Sequence, residues 1–109
     1  SPIRSVRPSI AGRYGGEEFL ILFSGYTRKQ AGKILEGMLT NFRNQEYDFL
    51  PEDVIITFSA GFTYLDNKNI DVEGFIKCAD EALYYSKEHG RNQITYYNDL
   101  RLRDMQVNR

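Results

Sequence analysis

The chain has 109 residues, 14 of them basic and 15 acidic, for a formal charge of −1. That length supports one domain at most, hiding roughly 65% of its unfolded surface, and the near-neutral balance supplies no global field to recruit nucleic acid or an anionic membrane. Eight Tyr and seven Phe argue for a packed core against disorder, and the single cysteine, Cys78, excludes an internal disulfide and suits a reducing compartment.

In chain order, residues 1–9 carry two prolines and two arginines with little apolar periodicity, and read as a tail or a truncated end. Residues 10–14 and Phe19–Phe23 are expected as two hairpin strands joined through Gly15 and Gly16, since glycine takes the positive φ angles of a tight turn. The unbroken apolar run Phe19–Phe23 suits a central strand covered on both faces. Glu17 and Glu18 then stand side by side where the turn enters that strand. Two readings are open for them: a solvated turn, or a pair of carboxylates relieved by a metal ion or a cationic ligand.

Thr27 is a fair N-cap for a helix reaching about Phe42. Ala31, Ile34, Leu35, Met38, Leu39 and Phe42 recur at three- and four-residue steps and form one apolar stripe. Gly32 and Gly37 weaken that helix by about 1 kcal/mol each relative to Ala, which close approach to a sheet would offset. Residues 44–53 read as a connection. Residues 54–64 alternate apolar and small or polar side chains, predicting one long strand or a strand with a bend, with Gly61 as the candidate bulge. A second helix is expected over residues 72–89, with Phe75, Ile76, Ala79, Ala82, Leu83 and Ser86 inward and Gly90 as its stop. Residues 93–97 form a short last strand, and residues 98–109 a tail or an interdomain helix. Strands with helices packed on them predict an α/β sandwich with a mixed, largely antiparallel sheet. No apolar stretch reaches membrane-spanning length, and the first residues lack a signal peptide's apolar region, so a cytoplasmic location is expected.

A second concentration of chemistry closes the second helix. Lys87 and Arg91 are four residues apart, a spacing that puts both on one side of a helical end. Two cations so placed either offset the helix dipole or flank an anion such as a phosphate chain. His89 has no Cys or His cluster beside it, which argues against a metal role. Cys78, Tyr84 and Tyr85 read as packing residues, and Asp80 and Glu81 as a helix surface or a local pairing with nearby cations.

The string Gly15-Gly16-Glu17-Glu18-Phe19 is unusual as a unit. With either acidic residue allowed in its third place, it should arise by accident in a chain this long on the order of once in several thousand. It resembles the signature of the GGDEF family, the diguanylate cyclases. The stretch from Ala79 to Asn92, with Ala79-Asp80-Glu81-Ala82-Leu83-Tyr84 and Gly90-Arg91-Asn92, is similar to that family's C-terminal signature.

The resemblance covers about residues 10–97, the C-terminal part of the family's domain, with residues 98–109 a tail. It implies a nucleotidyl-cyclase-like fold and the condensation of two GTP into cyclic di-GMP with release of pyrophosphate. It implies Glu17 as metal ligand and proton acceptor, Glu18 as a second metal-side carboxylate, Gly15 and Gly16 as the close approach to the nucleotide, and Lys87 and Arg91 as holders of the terminal phosphates. Mg²⁺ or Mn²⁺ is the implied cofactor, a homodimer the implied active form, and a sensory domain the implied neighbour in the full-length protein, which could itself be membrane-tethered.

The family's first metal-binding Asp and its guanine-reading Asn and Asp have no counterpart in residues 1–9, so this chain alone is not expected to build a full GTP site. Arg7-Pro8-Ser9-Ile10 lacks the Asp of the family's Arg-x-x-Asp inhibition motif, so no inhibition site is expected. Two alternatives stand beside the enzyme: a catalytically incompetent module that binds GTP or cyclic di-GMP and signals by contact, and an interaction domain whose hairpin is only a turn.

Overall fold

The computed structural model describes residues 9–13, 19–46, 48–51, 54–65 and 71–107. They form β1 (Ser9–Arg13), β2 (Phe19–Phe23), α1 (Arg28–Asn44), β3 (Ala60–Phe62), α2 (Val72–Glu88), β4 (Ile94–Tyr96) and α3 (Tyr97–Val107). The chain divides into two compact units, Ser1–Lys33 and Ile34–Arg109.

In the first unit β1 and β2 pair antiparallel, with Ser9 opposite Phe23 and Arg13 opposite Phe19. This is the expected hairpin, its first strand including Ser9. The hairpin's turn, with Gly15, Gly16, Glu17 and Glu18, lies outside the described residues. The expectation that β2 is covered on both faces is not met. Leu20 and Leu22 are exposed while Ile21 and Phe23 are half-buried, the alternation of a strand with one covered face. Among the described residues β2 pairs with β1 only.

The start of α1 is fixed by a reciprocal cap. Gln30 N–H donates to Thr27 Oγ1 at 3.1 Å, and Thr27 N–H donates to Gln30 Oε1 at 2.9 Å. Along α1, Ala31, Leu35 and Leu39 are buried, and Ile34, Met38 and Phe42 are half-buried, as the apolar stripe predicts. Gly37 does not serve close packing, because a Cβ added there would meet nothing within 4 Å.

In the second unit β3, α2 and β4 form a strand–helix–strand crossover, and β3 and β4 pair parallel, Ala60 with Ile94 and Phe62 with Tyr96. The expected single mixed, largely antiparallel sheet is therefore corrected. The described strands form two separate pairs, one antiparallel and one parallel. The reason is the connection: a helix between two neighbouring strands returns the chain to the same end of the sheet, and the strands must then run the same way.

The long strand expected over residues 54–64 is also corrected, to Ala60–Phe62. A strand needs a partner, and β4 offers three residues of ladder. Residues 54–59 are irregular, with Val54 and Ile55 exposed and Phe58 turned onto Phe42 edge to face at 5.5 Å.

Gly61 is not a bulge but a contact point. A Cβ there would fall onto the Ala79 carbonyl oxygen and the Leu83 amide nitrogen of α2, with the Ala82 carbonyl carbon at 2.9 Å. Strand backbone thus lies directly against helix backbone, and Ala82 is fully buried beneath it. Phe62, also buried, packs its ring 5.2 Å from that of Tyr96 across the parallel pair.

Residue Asp71 caps α2, accepting from Gly74 N–H at 2.7 Å through its side chain. Beyond β4 the chain enters α3 at once, so most of the expected tail is helical.

Candidate functional site

Helix α2 ends in a turn built around one glycine. Gly90 has φ +107°, and Arg91 N–H reaches back to the Ser86 carbonyl at 2.9 Å. His89 N–H donates to the Tyr85 carbonyl at 3.0 Å. Together these form a Schellman-type stop in which glycine takes the left-handed position without a Cβ clash. The expected helix stop at Gly90 is therefore met.

The chain does not leave the left-handed region there. Arg91 (φ 59°) and Asn92 (φ 50°) follow with positive values of their own. For L residues that conformation costs roughly 1–2 kcal/mol each, least for Asn. It persists where surrounding bonds hold it, and two sets of bonds reach these residues, with a third contact on the neighbouring His89. Gln93 Nε2 donates to the His89 carbonyl at 2.7 Å and the Arg91 carbonyl at 3.0 Å. Arg43, in the last turn of α1, donates from Nε to Asn92 Oδ1 at 2.7 Å and from Nη2 to the Asn92 carbonyl at 2.8 Å. The His89 ring stacks on Tyr85 at 3.6 Å, with Nδ1 2.9 Å from the Tyr85 carbonyl oxygen.

Lys87 occupies the last turn of α2 and is half-buried, while Arg91 is exposed. Arg91 lies past the helix end, so the four-residue spacing does not set the two cations on one helical face. The position of Arg91 is governed by the reversal at Gly90 and by the bonds to its neighbours. Sequence reasoning missed Arg43 and Gln93. The signal for them was the run Gly90-Arg91-Asn92 itself, a left-handed turn with two non-glycine residues that requires outside support.

Tyr84 is 66% exposed, so its expected packing role is corrected, whereas Tyr85 packs on His89. Cys78 is half-buried and takes part in a hydrogen bond with the Tyr97 hydroxyl, which together with burial raises the Tyr97 pKa. Tyr96 donates to Glu36 Oε1 at 2.6 Å; burial first, then this bond to a carboxylate, holds its hydroxyl well above the usual tyrosine range.

Glu17, Glu18, Gly15 and Gly16 lie outside the described residues. Among the described residues no three His, Cys, Asp or Glu side chains are grouped to hold a metal ion, and no helix is long and apolar enough to cross a membrane.

The profile of the family described as "Diguanylate cyclase, GGDEF domain" matches residues 3–93, a span that contains both signature stretches. Diguanylate cyclase A of Treponema denticola is 31% identical over 88 residues, covering 78% of this chain and 23% of that protein. Diguanylate cyclase DosC of Escherichia coli K12 is 31% identical over 83 residues, covering 75% of this chain and 18% of that protein. The chain thus spans about a quarter or less of the length of these curated relatives. Among solved structures, the GGDEF domain of DgcB from Caulobacter crescentus, determined in complex with c-di-GMP, superposes with a TM-score of 0.75. It is 31% identical, and the match covers 86% of this chain and 56% of that one. With a family match over most of its length and a shared fold, the chain belongs to the GGDEF diguanylate cyclase family.

Proposed function

We propose that this chain is the C-terminal portion of a domain that condenses two GTP into cyclic di-GMP, releasing two pyrophosphates. The observation that carries the reading is the capped end of α2. Lys87 in the last turn and Arg91 on a braced left-handed loop are two cations of the kind that receive a triphosphate. The family match spans this segment and the Gly-Gly-Glu-Glu-Phe string together, and a related domain was solved with cyclic di-GMP, the product of the proposed reaction.

In the proposed reaction the 3′-hydroxyl of one GTP attacks the α-phosphorus of the other. The O3′–phosphorus bond forms, the bond to the pyrophosphate leaving group breaks, and the hydroxyl proton passes to the Glu17 carboxylate. Repeating the step in the opposite direction closes the ring. Lys87 and Arg91 hold the β- and γ-phosphates and stabilise the charge that accumulates on the leaving group. Gly15 and Gly16 let the main chain approach the nucleotide where a side chain would intrude.

Glu17 and Glu18 supply hard carboxylate oxygens, a donor set that fits Mg²⁺ or Mn²⁺ when phosphate oxygens complete the shell. A divalent ion held there neutralises phosphate charge and lowers the pKa of the attacking hydroxyl. Because each domain holds one GTP, two copies must face each other, and homodimerisation is part of the proposal.

The test is to incubate the full-length protein with GTP and Mg²⁺ and follow cyclic di-GMP by chromatography, with Glu17→Gln beside it. The reading expects product from the parent and a loss of at least about a hundredfold in the variant. Equal product from both would remove the role given to Glu17. GTP binding without any product would leave a binding module in place of an enzyme.

A further inference from the structure

We infer that Arg43 is a positioning residue for the nucleotide: it acts through Asn92 to hold Arg91 in its ligand-facing conformation. The inference rests on the proposed role of Arg91 in holding GTP phosphates and goes beyond it by naming the residue on another element that sets this loop.

Three consecutive residues, Gly90, Arg91 and Asn92, have positive φ values of 107°, 59° and 50°. Only the first is glycine. A loop of this kind relaxes toward negative φ unless bonds oppose it. The Schellman bond from Arg91 N–H to the Ser86 carbonyl fixes the entrance to the loop. Its exit is fixed from outside, by a guanidinium 49 residues earlier in the chain.

Arg43 contributes two donors in a fixed planar fork, Nε to Asn92 Oδ1 at 2.7 Å and Nη2 to the Asn92 carbonyl at 2.8 Å. The fork reads side chain and main chain of one residue together, so it fixes the orientation of the Asn92 peptide as well as its position. A lysine has no such pair of rigidly oriented donors. Arg91 directly precedes the residue so held, and its own carbonyl is bonded by Gln93. The direction in which the Arg91 side chain leaves the loop is therefore set by bonds at both ends.

Arg43 and Asn92 are exposed, so their bonds add little to global stability while still choosing between loop conformations. That combination marks positioning. A purely structural bond would change stability and leave ligand affinity alone.

The experiment is a double-mutant cycle on the full-length protein, reading Mg²⁺–GTP affinity by calorimetry and KM and kcat by product formation. Arg43→Gln is expected to weaken GTP binding about tenfold, the size of coupling found within one hydrogen-bond network. Its melting temperature should stay close to that of the parent. Arg43→Lys should recover only part of the loss. In an Arg91→Ala background, Arg43→Gln should have no further effect, because the residue it positions is gone.

If Arg91→Ala alone leaves GTP affinity unchanged, the phosphate-holding role fails and this inference with it. If Arg91→Ala weakens binding but Arg43→Gln does not, or if the two losses multiply independently, the positioning role alone is overturned.

Discussion

The hydroxyl of Ser86 lies 2.6 Å from that of Thr95 and donates to the Ala60 carbonyl at 2.8 Å. Ser86 is fully buried, so one side chain of α2 is bonded at once to β3 and to β4. This is the polar seam of the strand–helix–strand unit whose end carries Lys87. Ser86→Ala keeps the volume small but leaves a buried hydroxyl and a carbonyl short of a partner. We expect a loss of about 1–3 kcal/mol, read as a lower urea midpoint with an unchanged denaturant slope.

The approach of Gly61 to α2 makes a sharper demand. Its missing Cβ is where the Ala79 and Leu83 backbone atoms lie, and backbone cannot swing aside as a side chain can. Gly61→Ala should cost about 3 kcal/mol or more, the upper range for overpacking. Thermal unfolding of the variant checks it. A melting point equal to that of the parent would mean that β3 does not lie on α2 as described.

Alkaline pH should find the Tyr96–Glu36 pair. Tyr96 begins from the ordinary value of 10.0, and burial with the Glu36 bond raises it in the folded state. Below pH 10.0 both folded and unfolded chains keep the proton, and the contribution is fully present. Above it the unfolded chain releases the proton while the folded chain retains it, so stability falls as pH rises. Tyr97, shifted in the same direction through Cys78 and burial, adds to the slope. Urea midpoints on either side of this value should fall with pH in the parent, and less steeply in Tyr96→Phe.

How far these features could be read beforehand depends on whether their causes are local. Both long helices were legible because an apolar stripe with a capping residue before it is complete within one segment. Thr27, Gly90 and the buried line Ala31, Leu35 and Leu39 show this. Beyond the β1–β2 hairpin, whose turn is local, strand pairing was not legible, because it depends on what lies alongside. Residues 54–59 alternate as a strand would, yet no described strand pairs with them, and β3 is parallel to β4 for a reason that lies in α2 between them.

At the candidate site, local spacing misled. Counting four residues from Lys87 to Arg91 assumed a helix, but Gly90 reverses the chain one residue before Arg91 is reached. The fork from Arg43 joins positions 49 residues apart and left no periodic trace. Gly61 carried a true signal that was given the wrong cause, since a glycine inside a strand pattern marks close backbone approach as well as a bulge. The two carboxylates lie outside the described residues, and their role stands on the family resemblance.

The most direct measurement for the account is a crystal structure of the full-length protein with Mg²⁺ and a GTP analogue that cannot react at the α-phosphorus. The account predicts Lys87 Nζ and the Arg91 guanidinium within hydrogen-bond distance of the β- and γ-phosphates, with Arg43 still bonded to Asn92 and a Glu17 oxygen on the metal. A triphosphate bound elsewhere, with Lys87 and Arg91 facing solvent, would contradict it.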